Sequence, residues 1–265
     1  MEVKFEKLTF AKRLKTMLKV DFKRMFTMPL IYILAGVSFA MPILILVMTS
    51  TMGGTSDPTA DAEAMEMFTN VWQAIGSVSD GENAGMSMDL TTMCNMNMMY
   101  FMIAVLVCVF TADDFRSGYA KNLFTVRSKK VDYVFSKSLV CFAGGAIMIL
   151  MYFIGAMLGG AIAGLPFTME GFTVGGIIAC MLAKIFLVAV FVAIFLMFSV
   201  IAKQRIWLSI LLSIGVGVFM FMMIPMMTPL NANFLHIIMT LAGGALFAVG
   251  LGTVSNIILN KTSLV

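Results

Sequence analysis

Residues 113–137 read DDFRSGYAKNLFTVRSKKVDYVFSK, a long charged interruption between two apolar runs, and they hold six of the chain's 18 Lys and Arg residues: Arg116, Lys121, Arg127, Lys129, Lys130 and Lys137. Short loops rich in Lys and Arg stay on the cytoplasmic side of a membrane, so this stretch is assigned inside. Within it Phe115, Tyr119, Leu123 and Val126 recur at i, i+4, i+8 and i+11, one face of a helix, while Ser117, Lys121 and Asn122 lie away from that face. The spacing predicts a short amphipathic helix. A second helix, capped by the Ser128 hydroxyl on an otherwise orphaned backbone N–H, is expected to run through Tyr133 into the next apolar segment.

Working outward, the 265 residues are 60% hydrophobic and 12% charged, with a mean hydropathy of +0.98. Successive apolar runs of about 20 residues cannot all be hidden in a water-soluble core, so the chain reads as an all-α, polytopic membrane protein. The net charge of +4 sits in membrane-flanking segments. It marks orientation and lipid contact rather than nucleic-acid binding. Cys94, Cys108, Cys141 and Cys180 fall in or beside apolar segments without paired spacing, which points to core residues and not to a disulfide framework or zinc site.

Before the first span, Leu14, Met17, Leu18, Phe22 and Met25 trace a helical stripe broken by Asp21 and flanked by Lys12, Arg13, Lys15, Lys19, Lys23 and Arg24. Residues 1–28 are read as a basic amphipathic helix lying in the inner interface, with no cleaved signal peptide expected. Spans are expected at about 29–50, 93–112, 138–163, 174–202, 206–227 and 233–259. Pro42 should kink the first. Gly155, Gly159, Gly160 and Gly164 in the third permit close helix approach without naming a partner. The outer loop 51–92 carries seven acids and no Lys or Arg. In it Met65, Phe68, Trp72 and Ile75 form a stripe ending at Gly76, read as a small helix on the outer surface with Trp72 at headgroup level. This layout puts 17 of the 18 cations inside and leaves Lys184 within a span, which gives six spans with both ends cytoplasmic.

The order of an acidic residue, Gly118-x-x-Lys121-Asn122-Leu123, a basic cluster and Lys137 resembles the first cytoplasmic loop of type-2 ATP-binding-cassette (ABC) exporter permeases. It is most similar to the bacterial antimicrobial-peptide and lantibiotic export or immunity subgroup, although Tyr119 stands where that subgroup usually has Thr. The resemblance covers this loop and the topology of the chain. It implies a permease domain over 29–265 in a bacterial cell membrane, an elbow helix at 1–28, and a coupling helix in 113–137 that docks into a groove of an ATPase subunit. Leu123 and Phe124 are then its apolar contacts, and Asp114, Arg116 and Arg127 its polar ones, with Gly118, Lys121 and Asn122 completing the motif. It also implies a second permease copy or paralogue as partner, and an amphipathic substrate. The chain contains no Gly-x-x-x-x-Gly-Lys-Ser/Thr loop, so ATP and Mg are expected on a separate ATPase chain, with no cofactor on this one and no enzymatic activity of its own.

Lys184 lies nine residues past Gly175, roughly 13 Å deep at about 1.5 Å per residue. A lone cation there is expected to face protein or water, as a residue of the translocation path or one snorkelling toward an outer carboxylate or headgroup. Asn95, Asn97 and His236, near outer span ends, are candidates for the same path or for inter-helix bonding. One His cannot build a two-His zinc motif. Met86, Met88, Met93, Met96, Met98, Met99 and Met102 cluster around Cys94. Thioethers bind Cu(I), so a copper-handling permease stands against adaptable apolar packing. A standalone channel or secondary transporter, and a membrane assembly or sensor subunit using the acidic outer loop, are the remaining alternatives.

Overall fold

The computed structural model describes residues 9–53, 68–78, 94–126 and 130–261. Among them all regular structure is helical: α1 (Phe10–Thr27), α2 (Pro29–Gly53), α3 (Met99–Arg116), α4 (Tyr119–Val126), α5 (Lys130–Ala163), α6 (Val174–Ala202), α7 (Ile206–Phe221), α8 (Ile224–Met227) and α9 (Phe234–Lys261). Five of these, α2, α3, α5, α6 and α9, are long and apolar enough to cross a membrane.

The break between α1 and α2 follows from Pro29. Proline pushes the preceding residue out of the helical region, and Met28 is extended at φ −80°, ψ 125°. Pro29 itself opens α2, where its missing N–H leaves nothing unpaired. Met17, Asp21 and Met25, four residues apart, are the buried line of α1, which lies against the start of α5. Asp21 is thus the centre of the buried face rather than a gap in it.

The glycines of α5 find their partner in α2. A Cβ at Gly155 would collide with the Phe39 carbonyl oxygen, and one at Gly159 would lie 2.7 Å from the Ile43 Cα. The two backbones therefore touch at the turn containing Pro42, and only glycine fits. α6 and α3 form the centre of the bundle, each with 67% of its most apolar window buried, whereas α9 has 11% buried. α9 rides on α6 with Leu235, Ile238, Leu246, Val249 and Ile257 turned outward. Such a face is stable only against lipid or another protein.

Two expectations are corrected. The segment 206–227 is not one long helix: α7 has 16 residues, about 24 Å of rise against a hydrocarbon core of about 30 Å. Pro225 ends it, because a proline ring collides with the carbonyl four residues back, here Phe221, the last residue of α7. The helix restarts as the single turn α8. Trp72 also is not on a small helix with its ring turned outward; it packs into protein. Val71–Ala74 is one 3-10 turn, capped by Asn70 and Gln73, and Trp72 is 8% exposed with its ring edge-on to Phe167 and Phe172. Val71 N–H donates to the Pro166 carbonyl at 3.2 Å and Leu230 N–H to the Ser77 carbonyl at 2.9 Å, so three turns at one end of the bundle close over Phe68, Trp72 and Ile75. Apolar side chains on so short a turn reach a protein pocket more completely than they reach lipid. Met65, the fourth residue of that stripe, lies outside the described residues.

Candidate functional site

α3 does not stop at the first charged residue; it continues through Asp113 and Asp114 to Arg116. Gly118 then turns the chain with φ +74°, a left-handed conformation that costs a side-chain-bearing residue about 1 kcal/mol or more. This turn sets α4 across the end of the bundle. Ala120 is fully buried, Tyr119, Leu123 and Phe124 are half-buried, and Lys121, Asn122 and Thr125 are exposed. Phe124 packs edge-on against the Tyr133 ring at 5.3 Å, so it faces the bundle. Leu123 likewise packs against the core.

Beneath α4 lies a buried ionic network that joins four helices. Asp114, fully buried, accepts the Tyr133 hydroxyl at 2.8 Å and faces Lys137 Nζ at 2.8 Å through Oδ2. Its Oδ1 pairs with Arg24 of α1. Asp21, also fully buried, accepts the Ser136 hydroxyl at 2.5 Å and faces Lys137 Nζ at 3.1 Å. Arg24 further reaches Asp113 at 3.2 Å, and its guanidinium stacks 4.0 Å over the Tyr119 ring of α4. Lys137 Nζ sits 3.7 Å over the Phe110 ring. A second pair, Arg13 to Asp132 at 2.7 Å, ties α1 to α5 farther out.

Two fully buried carboxylates, Asp21 and Asp114, therefore face two cations, Arg24 and Lys137, with the half-exposed Asp113 a third carboxylate on Arg24 at the rim. A buried pair of this kind contributes little net stability, because desolvation offsets attraction, but it fixes which helix faces meet. For Arg24, burial works against the charged form, and the charge of Asp114 and its hydrogen bond outweigh it, so the guanidinium is held more firmly protonated than usual. Tyr119 is pushed up by burial and then by Asp21 and Asp114, so it remains a neutral phenol under the Arg24 guanidinium. Asp114 faces inward on this network. Of the polar coupling candidates, Arg116, Lys121 and Asn122 are on the surface. Arg127 and Ser128 lie outside the described residues.

At the other end of the bundle the structure brings together three of the four path candidates. Lys184 is fully buried, and its Nζ donates to Asn97 Oδ1 at 2.5 Å and Thr228 Oγ1 at 3.0 Å. Asn95 accepts the Asn97 backbone N–H at 2.9 Å and so presents that side chain to the lysine. Among the described residues Lys184 has neutral acceptors and no carboxylate, and it does not snorkel. His236 stands apart: its Nδ1 accepts the Asn233 N–H at 3.2 Å at the start of α9. Met96 and Met99 are fully buried in the apolar core. Met86, Met88 and Met93 lie outside the described residues.

Reasoning from sequence missed Asp21, Tyr133 and Ser136 as members of the network. A signal was present in an acid on the apolar face of α1 and a lysine on the apolar face of α5, each of which needs a partner of opposite charge. No family model, curated protein or solved structure matches this chain.

Proposed function

We propose that this chain is the membrane-spanning permease subunit of an ABC exporter. It crosses the membrane six times with both ends inside, α7 and α8 together making the fifth crossing and α1 lying in the inner interface. The observation that carries the reading is the placement of α4. A short amphipathic helix with an exposed Lys121–Asn122–Thr125 face is mounted, through Tyr119 and Arg24, on a network that reaches α1, α3 and α5 at once. A load applied to α4 from the cytoplasm is transmitted to three helices without bending any one of them.

In this account a separate ATPase chain grips α4, and its closure on ATP tilts the bundle against a second permease copy or paralogue in the bacterial cell membrane. ATP and Mg belong to that partner. An amphipathic substrate such as an antimicrobial peptide follows from the family resemblance. Lys184, Asn95 and Asn97, sealed in the present conformation, become path residues if that tilting parts α3 from α6.

The test is affinity purification from mild detergent of wild type and of Lys121→Glu/Thr125→Glu. These positions are exposed, so folding is spared, whereas Leu123 and Phe124 also pack inward. A P-loop ATPase that accompanies wild type and is lost with the variant is the expected result. Wild type without any nucleotide-binding partner, or a variant that retains one, overturns the proposal.

A further inference from the structure

A second cluster of charge lies beside α4 and plays no part in the network beneath it. A cavity of about 630 Å³ opens between the end of α3, the Gly118 turn and the α6–α7 turn, and among the described residues its lining includes Arg116, Lys121, Lys203 and Arg205 without a carboxylate. Four cations sharing one cavity repel each other unless an anion joins them. The walls are held in place: Gln204 Nε2 donates to the Phe115 carbonyl at 3.4 Å, tying the α6–α7 turn to α3. Lys203 adopts φ +53°, ψ −110°. That conformation is strained for a residue with a side chain, and such strain persists where the surroundings impose it. α7 begins at this cavity with no side chain capping its N-terminus, where the Ile206 N–H meets the Gln204 carbonyl, so the partial positive charge of the helix start adds to the four cations.

A stripe of exposed apolar residues runs away from the cavity along α7. Trp207, Leu211, Ile214 and Val218 lie at i, i+4, i+7 and i+11, with Trp207 65% and Leu211 61% exposed. A cationic cavity at the start of a helix whose exposed face is apolar matches a ligand that is anionic at one end and a hydrocarbon chain at the other. An acidic protein segment satisfies the cavity alone.

We infer that this cavity binds the phosphate headgroup of an anionic phospholipid of the inner leaflet, with an acyl chain lying along the Trp207–Val218 face of α7. The inference rests on the proposed orientation, with the basic end of the bundle at the inner membrane surface, and is independent of any ATPase. A bound headgroup would neutralise Arg116 and Lys121 at the foot of α4, making the setting of that helix sensitive to the lipid composition of the leaflet.

The chain has two tryptophans. Trp72→Phe leaves Trp207 as the sole emitter, in the first turn of α7 between the cavity-lining residues Arg205 and Leu208. The full chain is reconstituted in phosphatidylcholine vesicles, and quenching of Trp207 by dibrominated phosphatidylglycerol is compared with quenching by dibrominated phosphatidylcholine. The expected result is a clear preference for phosphatidylglycerol that falls about fivefold for each cation removed. Lys203→Gln/Arg205→Gln therefore loses about twenty-five-fold. Lys12→Gln/Lys15→Gln, which removes two exposed charges from α1, leaves the preference within about twofold, and inorganic phosphate does not relieve the quenching. Equal quenching by both lipids, an equal loss in the α1 variant, or relief by inorganic phosphate each overturns the inference. The measurement needs no partner chain, so its failure leaves the ATPase reading standing, and the reverse holds as well.

Discussion

Replacing Lys137 with methionine removes the cation that Asp21 and Asp114 share and keeps the length of the side chain. Both carboxylates are fully buried, so water does not screen what remains: Asp21 loses the one cation it faces, and Asp114 keeps Arg24, which Asp113 also engages. Removing one member of such a network costs about 3–5 kcal/mol, because a charge is left buried without its partner. That corresponds to a fall of about 10² to 10⁴ in the folded-to-unfolded ratio, a large share of the stability of any domain. Charge balance is restored by adding Asp21→Asn, since Asp114 and Arg24 then pair one to one and the introduced amide oxygen still accepts the Ser136 hydroxyl. The double variant is expected to recover about half or more of the loss, an interaction energy of about 2 kcal/mol. The assay is built into the chain. Cys108, Cys141 and Cys180 are buried free thiols, so a thiol-reactive dye reports unfolding in detergent, with Cys94→Ser removing the half-buried one. A Lys137→Met protein within about 1 kcal/mol of wild type, or a double variant that loses the sum of the two single losses, would refute the idea that these groups form one balanced network.

Three further outcomes follow from the packing, and a fourth from the orientation. Asn97→Leu strips the buried lysine of an acceptor and should lose about 1–3 kcal/mol in the dye assay, while Lys184→Met/Asn97→Leu replaces both partners with apolar groups and should lose less than Asn97→Leu alone; the reverse order contradicts the geometry. Gly155→Val drives a side chain into the Phe39 carbonyl and should lose about 1–3 kcal/mol by parting α2 from α5. Gly250→Ala, where a Cβ meets nothing within 4 Å, should gain up to about 1 kcal/mol from helix propensity. For topology, a membrane-impermeant maleimide should label Glu170→Cys in intact cells and Arg205→Cys only after lysis, in a Cys94→Ser background; labelling of both from outside contradicts the proposed orientation.

The helical, membrane-embedded class was legible because hydropathy over about 20 residues is a local property that the bilayer reads directly. The amphipathic helix was legible for the same reason, but its start was not: the stripe in the sequence runs from Phe115 through Gly118, whereas Phe115 belongs to α3 and Gly118, at φ +74°, breaks the helix before α4 begins at Tyr119. The ionic network was not, because Asp21 and Lys137 lie far apart in the chain and meet only once α1 has packed on α5. The burial of Lys184 followed from the cost of a charge in lipid, while its partner Asn97 depended on the rotation of α3 relative to α6. Trp72 was read by its preference for interfaces, and the competing pocket formed by residues 165–172 and 228–232 had no signature in its own neighbourhood. The break at Pro225 was visible in principle, since Phe221 is the carbonyl a proline at 225 displaces, yet the apolar run continued through it and masked the stop.

The central claim, that α4 is the surface through which an ATPase drives this bundle, is tested most directly by photocrosslinking in intact membranes. A photoreactive amino acid is placed at Lys121, on the exposed face of α4, and at Tyr32, which is 62% exposed on α2 at the apolar surface, as a control. The adduct is then probed with azido-ATP. The account predicts a nucleotide-labelled chain joined to position 121 and absent at position 32. Irradiation that joins no nucleotide-binding chain to position 121 contradicts it.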